Sequence, residues 1–157
     1  MSKFRLDEVD HQILDMLIDN TRVPFTDIAK KLLISAGTVH VRVKKMEDAG
    51  IILGSSLNID YAKLDYHFTA FIGILLTKSN RTQEVLKELA TIPNVIEASV
   101  ISGKYNIFCK VKAKNTEDAK RIIYQIDDIQ DVMRTESMIS MQEYISDKNR
   151  LIDAVSI

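Results

Sequence analysis

The feature that most constrains this chain is a change of hydrophobic period near residue 66. Before it, apolar residues recur at steps of three and four, as on one face of a helix. Val9, Ile13, Leu14 and Leu17 form a first stripe, Ile28, Ala29 and Leu32 a second, and Val39, Val43 and Met46 a third. Asn20 and Thr21 break the first stripe, and Pro24 suits the first turn of the next helix, where its missing N–H costs nothing. Ser35 is a natural N-cap and Gly50 a natural left-handed closing residue. Three short helices with tight joints match a helix-turn-helix.

Residues 51–60 alternate in part (Leu57-Asn58-Ile59-Asp60), which predicts a small strand pair, or a wing running into a linker strand over 55–65. No Pro/Gly-rich spacer lies there, so the connection should be structured. From Tyr66 the order becomes strand, helix, strand, strand, helix, strand. Residues 68–76 (FTAFIGILL) read as a central strand. Val85, Leu86 and Leu89 mark a helix ending before Pro93, and Val95–Ile101 a second strand. In Tyr105–Ala113 the pattern sets Tyr105, Ile107, Cys109 and Val111 on one side and Asn106, Lys110 and Lys112 among those on the other. Ala119, Ile122, Ile123 and Ile126 form a second helix, and Val132–Met141 a fourth strand. The fold class expected is therefore α+β: a winged helix-turn-helix over 1–54, a linker strand over 55–65, and a ferredoxin-like βαββαβ domain over 66–157. Such a two-layer domain leaves one sheet face uncovered, and a partner subunit is the usual cover. In the polar tail, Leu151, Ile152 and Val155 could dock onto a neighbour.

Composition narrows function. With 157 residues and a net charge of −1, attraction to nucleic acid must come from local patterning. That patterning exists: no acidic residue occurs from Ile28 to Met46, while His40, Arg42, Lys44 and Lys45 fall within six positions. With 39, 43 and 46 facing inward, Gly37, Thr38, His40, Val41 and Lys44 project outward, and Arg42 and Lys45 lie on the flanks. A helix of this kind fits the major groove, where hydroxyl, imidazole and small apolar groups meet base edges while Lys and Arg meet phosphates. Lys30 and Lys31 extend the positive surface, and Ser35 caps the helix. The competing reading, a solvated basic face, is weakened because the acids Glu47 and Asp48 are confined to the helix's last turn.

LDEVDHQIL near the start, IAKKLLISAGTVHVRVKKMEDAGII in the middle and the βαββαβ half together resemble the Lrp/AsnC family of transcriptional regulators, over roughly residues 6–142. The block Ser35…Thr38-Val39…Arg42-Val43…Gly50-Ile51-Ile52 is its most specific part, and the AsnC branch is the most similar. The resemblance implies a DNA-binding regulator, dimers joined through their sheets and assembling to octamers, and a small amino acid bound between dimers. It places that effector at Gly103, Lys104, Tyr105 and Asn106 in the turn between the second and third strands, and at Thr135, Glu136 and Ser137 in the last. Two positions depart from the family pattern: Ala36 stands where many members have Pro, and Asp65 where Gly is common.

Other chemistry finds little support. His11, His40 and His67 lie on different elements, and no His/Cys cluster has metal-ligand spacing. P-loop, GxGxxG and Gly-x-Ser-x-Gly patterns are missing, so neither an enzyme nor a cofactor is expected. Cys109 reads as a small buried hydrophobe. The single cysteine, the lack of a signal-like N-terminus and the lack of a membrane-length apolar run point to the cytoplasm. Besides the DNA-binding regulator, a second reading is an effector-binding oligomer whose helix-turn-helix serves protein contacts.

Overall fold

The computed structural model describes residues 5–147 and 149–155, in two compact units. The first holds three helices: α1 (Glu8–Asp19), α2 (Phe25–Leu32) and α3 (Ala36–Asp48). Helix α1 opens with a capping box, in which the Asp7 carboxylate accepts from Asp10 N–H at 2.9 Å and the Asp10 carboxylate accepts from Asp7 N–H at 3.2 Å. This satisfies two backbone donors that a helix start leaves free. Pro24 is the N-cap of α2 rather than part of its first turn. Leu33 ends α2 in the left-handed region, at φ 56°. Ser35 caps α3, its Oγ accepting from Thr38 N–H at 3.0 Å, and Gly50, at φ 70°, closes the turn after it. Ile13, Leu14, Ile28, Ala29, Val39, Val43 and Met46 are buried together as the core of this unit.

The strand pair expected over 51–60 does not form among the described residues. Residues 52–60 carry no regular secondary structure, with Leu53 and Leu57 exposed, and a 3-10 turn follows at Tyr61–Leu64. Alternation favours an extended backbone, but a ladder needs a neighbouring strand, and none lies alongside. Asp65 holds φ 69°, the left-handed geometry its short polar side chain tolerates. The tail also departs from expectation: from Ile145 onward it groups with the N-terminal unit, and Ile152 packs against that unit's core.

The second unit, Ile59–Tyr144, contains β1 (Phe68–Leu76), α4 (Thr82–Leu89), β2 (Val95–Val100), β3 (Ile107–Ala113), α5 (Thr116–Asp127) and β4 (Val132–Ile139). The antiparallel sheet runs β2-β3-β1-β4, the ferredoxin-like arrangement. Ile72 sits opposite Cys109 on one side and Ser137 on the other. Alternation then sends Ala70, Ile72, Ile74, Leu76, Ile107, Cys109 and Val111 into a core with Val85 and Leu89 of α4 and Ala119, Ile122 and Ile126 of α5. Both helices therefore cover one face. Among the described residues no helix is long and apolar enough to cross a membrane.

Candidate nucleic-acid interface and effector loop

Helix α3 presents a defined outer surface. Val39, Val43 and Met46 are buried, while Gly37, Thr38, His40, Val41, Lys44 and Lys45 are exposed. The Ser35 cap locks its first turn, and the Ser35 and Thr38 hydroxyl oxygens lie 2.8 Å apart. The His40 ring rests 6.1 Å from that of Phe25 at the start of α2, which limits the imidazole's orientation. A Cβ at Gly37 would make only ordinary contact with Ser35 Oγ, at 3.7 Å, so that glycine leaves the helix start open rather than relieving a clash.

The cations are not equivalent. Lys30 pairs with Asp27 at 3.6 Å and Lys44 with Asp48 at 2.7 Å, both exposed pairs one helical turn apart. The Asp48 carboxylate raises the pKa of the Lys44 ammonium. Such pairs are weak and readily exchanged for another anion. Lys31 and Lys45 are exposed and make no ion pair among the described residues. Arg42 departs from the placement expected of it: its Nη1 lies 2.7 Å from both Asp7 Oδ2 and Asp10 Oδ1, turned toward α1 rather than out to solvent. The hydrogen bond from Arg42 holds the Asp7 pKa below the usual carboxylate range, and the two aspartates raise that of Arg42.

In the second unit the turn before β3 is built around Gly103, whose φ of 119° only glycine adopts without strain. Three cations or donors converge on one carboxylate. Lys104 Nζ and Tyr105 Oη lie 2.6 and 2.7 Å from Glu136 Oε2, and Arg134 Nη2 lies 3.2 Å from Oε1. The Lys104 hydrogen bond, and after it that of Tyr105, lowers the Glu136 pKa. Asn106 anchors the turn: its N–H donates to Ile74 O at 2.9 Å, and its side-chain oxygen accepts from Leu76 N–H at 2.9 Å.

The expected effector residues do not all meet. Thr135 and Ser137 sit opposite Ile74 and Ile72 on the helix side of β4, and the Thr135 hydroxyl donates to Asp127 at 2.8 Å. Glu136 faces the other way, so strand alternation divides the expected set. Tyr105 also departs from its expected side. It precedes the ladder, and its ring swings over Gly73 on the uncovered face, where a Cβ at position 73 would lie 2.6 Å from it. Four contributors escaped the sequence reading: Asp7 and Asp10 as partners of Arg42, Arg134 as a donor to Glu136, and Gly73 as the seat of Tyr105. The Asp-x-x-Asp spacing at the start of α1 signals the capping box but not the arginine that joins it.

Family comparisons agree with both units. A family model described as a winged helix-turn-helix DNA-binding domain matches residues 6–52, and one described as the Lrp/AsnC ligand binding domain matches residues 69–150. The chain belongs to the Lrp/AsnC family. The regulatory protein AsnC of Haemophilus influenzae is 38% identical over 141 residues, covering 89% of this chain and 94% of that protein. AsnC of Escherichia coli is 34% identical over 146 residues, covering 92% and 96%. The Escherichia coli AsnC structure superposes with a TM-score of 0.87 at 33% identity, covering 91% of this chain and 97% of that one. A Neisseria meningitidis regulator solved as an L-Met complex shares the fold at 18% identity and a TM-score of 0.84, covering 92% and 95%. This Lrp/AsnC protein is thus a DNA-binding transcriptional regulator carrying a small-ligand domain.

Proposed function

We propose that the protein reads a specific duplex sequence by laying α3 in the major groove, and that a small amino acid tunes its assembly or DNA affinity in the cytoplasm. The observation that carries the first half is the composition of the outer side of α3. Thr38, His40 and Val41 are base-reading types, and Lys45 is a cation beside them with no ion pair among the described residues. Lys31, Lys30 and Lys44 meet phosphates, the last two by exchanging an exposed carboxylate for a phosphate oxygen, while Ser35 and Gly37 form the close-approaching helix start.

The second half rests on the Gly103 turn. Lys104 and Arg134 offer donors for a carboxylate, and Glu136 offers an acceptor for an ammonium, which together match the two ends of an α-amino acid. Asn106 supports the loop from behind. The fold neighbour bound to L-Met supports an amino acid as the effector class. The uncovered sheet face supports self-association into dimers, which the family resemblance extends to octamers.

Two measurements test this. Affinity for duplex DNA should fall steeply as salt rises, and Lys44→Ala/Lys45→Ala should weaken binding to all duplexes and flatten that slope. An unchanged slope removes the placement of α3. A thermal-shift screen of the twenty amino acids should reveal ligands that raise the melting temperature, because only the native state binds them. Gly103→Asp should abolish that shift; a shift that persists removes the loop as the site.

A further inference from the structure

Arg42 lies within the basic run of α3, yet both its ion pairs point into the protein. Asp10, one of its partners, is only 5% exposed, unusual for an aspartate, and already serves the α1 capping box. Asp7, the other, is the N-cap of the same helix. One guanidinium nitrogen therefore joins both members of the box that starts α1 to the middle of α3, at 2.7 Å each. Turning Nη1 outward to a phosphate would leave the buried Asp10 carboxylate uncompensated, which is costly. By contrast, Lys45 has no ion-pair partner among the described residues to give up.

We propose that Arg42 is a positioning residue, which fixes the rotation and tilt of α3 against α1 so that Thr38, His40 and Val41 meet base edges in register, and that it makes no phosphate contact itself. This rests on α3 being the reading helix. The distinction has measurable content, because phosphate contacts weaken all duplexes alike and contribute to the salt slope, whereas orientation of the reading helix governs the difference between right and wrong sequences.

The probe is a duplex enriched from a random pool by the wild-type protein, compared with a scrambled duplex of equal length. Arg42→Gln and Asp10→Asn should each weaken the enriched duplex by about tenfold, comparable to a base mismatch. The scrambled duplex and the log–log salt slope should stay unchanged. The Arg42→Gln/Asp10→Asn double variant should lose no more than the worse single variant, because both remove one interaction. Should Arg42→Gln melt below the assay temperature, Asp7→Asn carries the same comparison, since Asn caps a helix as well as Asp and only the outer half of the clamp is lost. The inference is overturned if Arg42→Gln weakens both duplexes equally and lowers the salt slope by about one, or if the Asp variants bind as wild type. Failure of the underlying reading looks different: Thr38→Ala and His40→Ala would leave discrimination between the two duplexes intact.

Discussion

At the residue scale, two positions carry strain or crowding that a single substitution exposes. Leu33 occupies the left-handed region at φ 56° and is 92% exposed as a residue, so it bears a Cβ clash without packing in return. Leu33→Gly relieves the clash but frees the unfolded chain, and the balance favours the variant by about 0.5–1 kcal/mol. A raised urea midpoint at unchanged m-value is the expected result, and a lowered midpoint would refute it. Gly73 is the reverse case. Its absent side chain is filled by the Tyr105 ring, whose carbons lie 2.6 Å from where a Cβ would stand. Gly73→Ala should therefore cost about 1–3 kcal/mol by overpacking and draw the Tyr105 hydroxyl off Glu136. In a Tyr105→Leu background the same change should cost much less, and chemical denaturation of the four proteins measures the coupling. Neither feature was legible beforehand. Nothing in LLISAG reveals which residue of the joint takes positive φ, and Gly73 looks like one small residue in an apolar run.

At the scale of elements, the helix stripes and the strand over 68–76 were readable because burial on one face imposes a period, and the period survives in sequence. What the period cannot report is pairing. Residues 51–60 have alternation but form no ladder among the described residues, and Thr135-Glu136-Ser137 is one motif in sequence but two opposite faces in the sheet. The α1–α3 clamp was likewise hidden, because its acids and its arginine lie more than thirty positions apart. The clamp also predicts a pH dependence. Because Arg42 lowers the Asp7 pKa in the folded chain, the stabilisation is fully present above the unfolded value of about 3.9 and drains away as pH falls through the lower folded value. Comparing wild type with Asp7→Asn isolates it, since the cap survives the change. The stability gap between the two, from denaturant titrations, should be widest at pH 6 and narrow progressively as pH falls below about 4; a gap that does not vary with pH would refute the assignment.

At the scale of the whole molecule, the sheet face away from the helices is the feature that an isolated chain leaves unfinished. Phe71 and Phe108 stack there with ring centroids 5.9 Å apart, with Met138 opposite Phe71, and both rings remain partly exposed. Charges at one end of this face are already paired: Glu143 pairs with Lys110 and, at 3.1 Å, with Lys112, and Lys112 also donates to Thr69 at 3.1 Å. An apolar centre with satisfied polar flanks is the composition of a surface that a second copy can cover. Phe71→Arg places a cation at that centre, opposite Lys110. The helix-side core is untouched by this change, so far-UV circular dichroism should match wild type while sedimentation equilibrium shows monomers. Two reading helices held in one dimer bind a duplex with an affinity gain of about 10²–10⁴ over a single one. The monomeric variant should therefore lose affinity by a factor in that range, although every residue of α3 is intact. A variant that still sediments as wild type would show that the copies meet elsewhere, and one that turns monomeric at full DNA affinity would show that each helix-turn-helix reads its site alone.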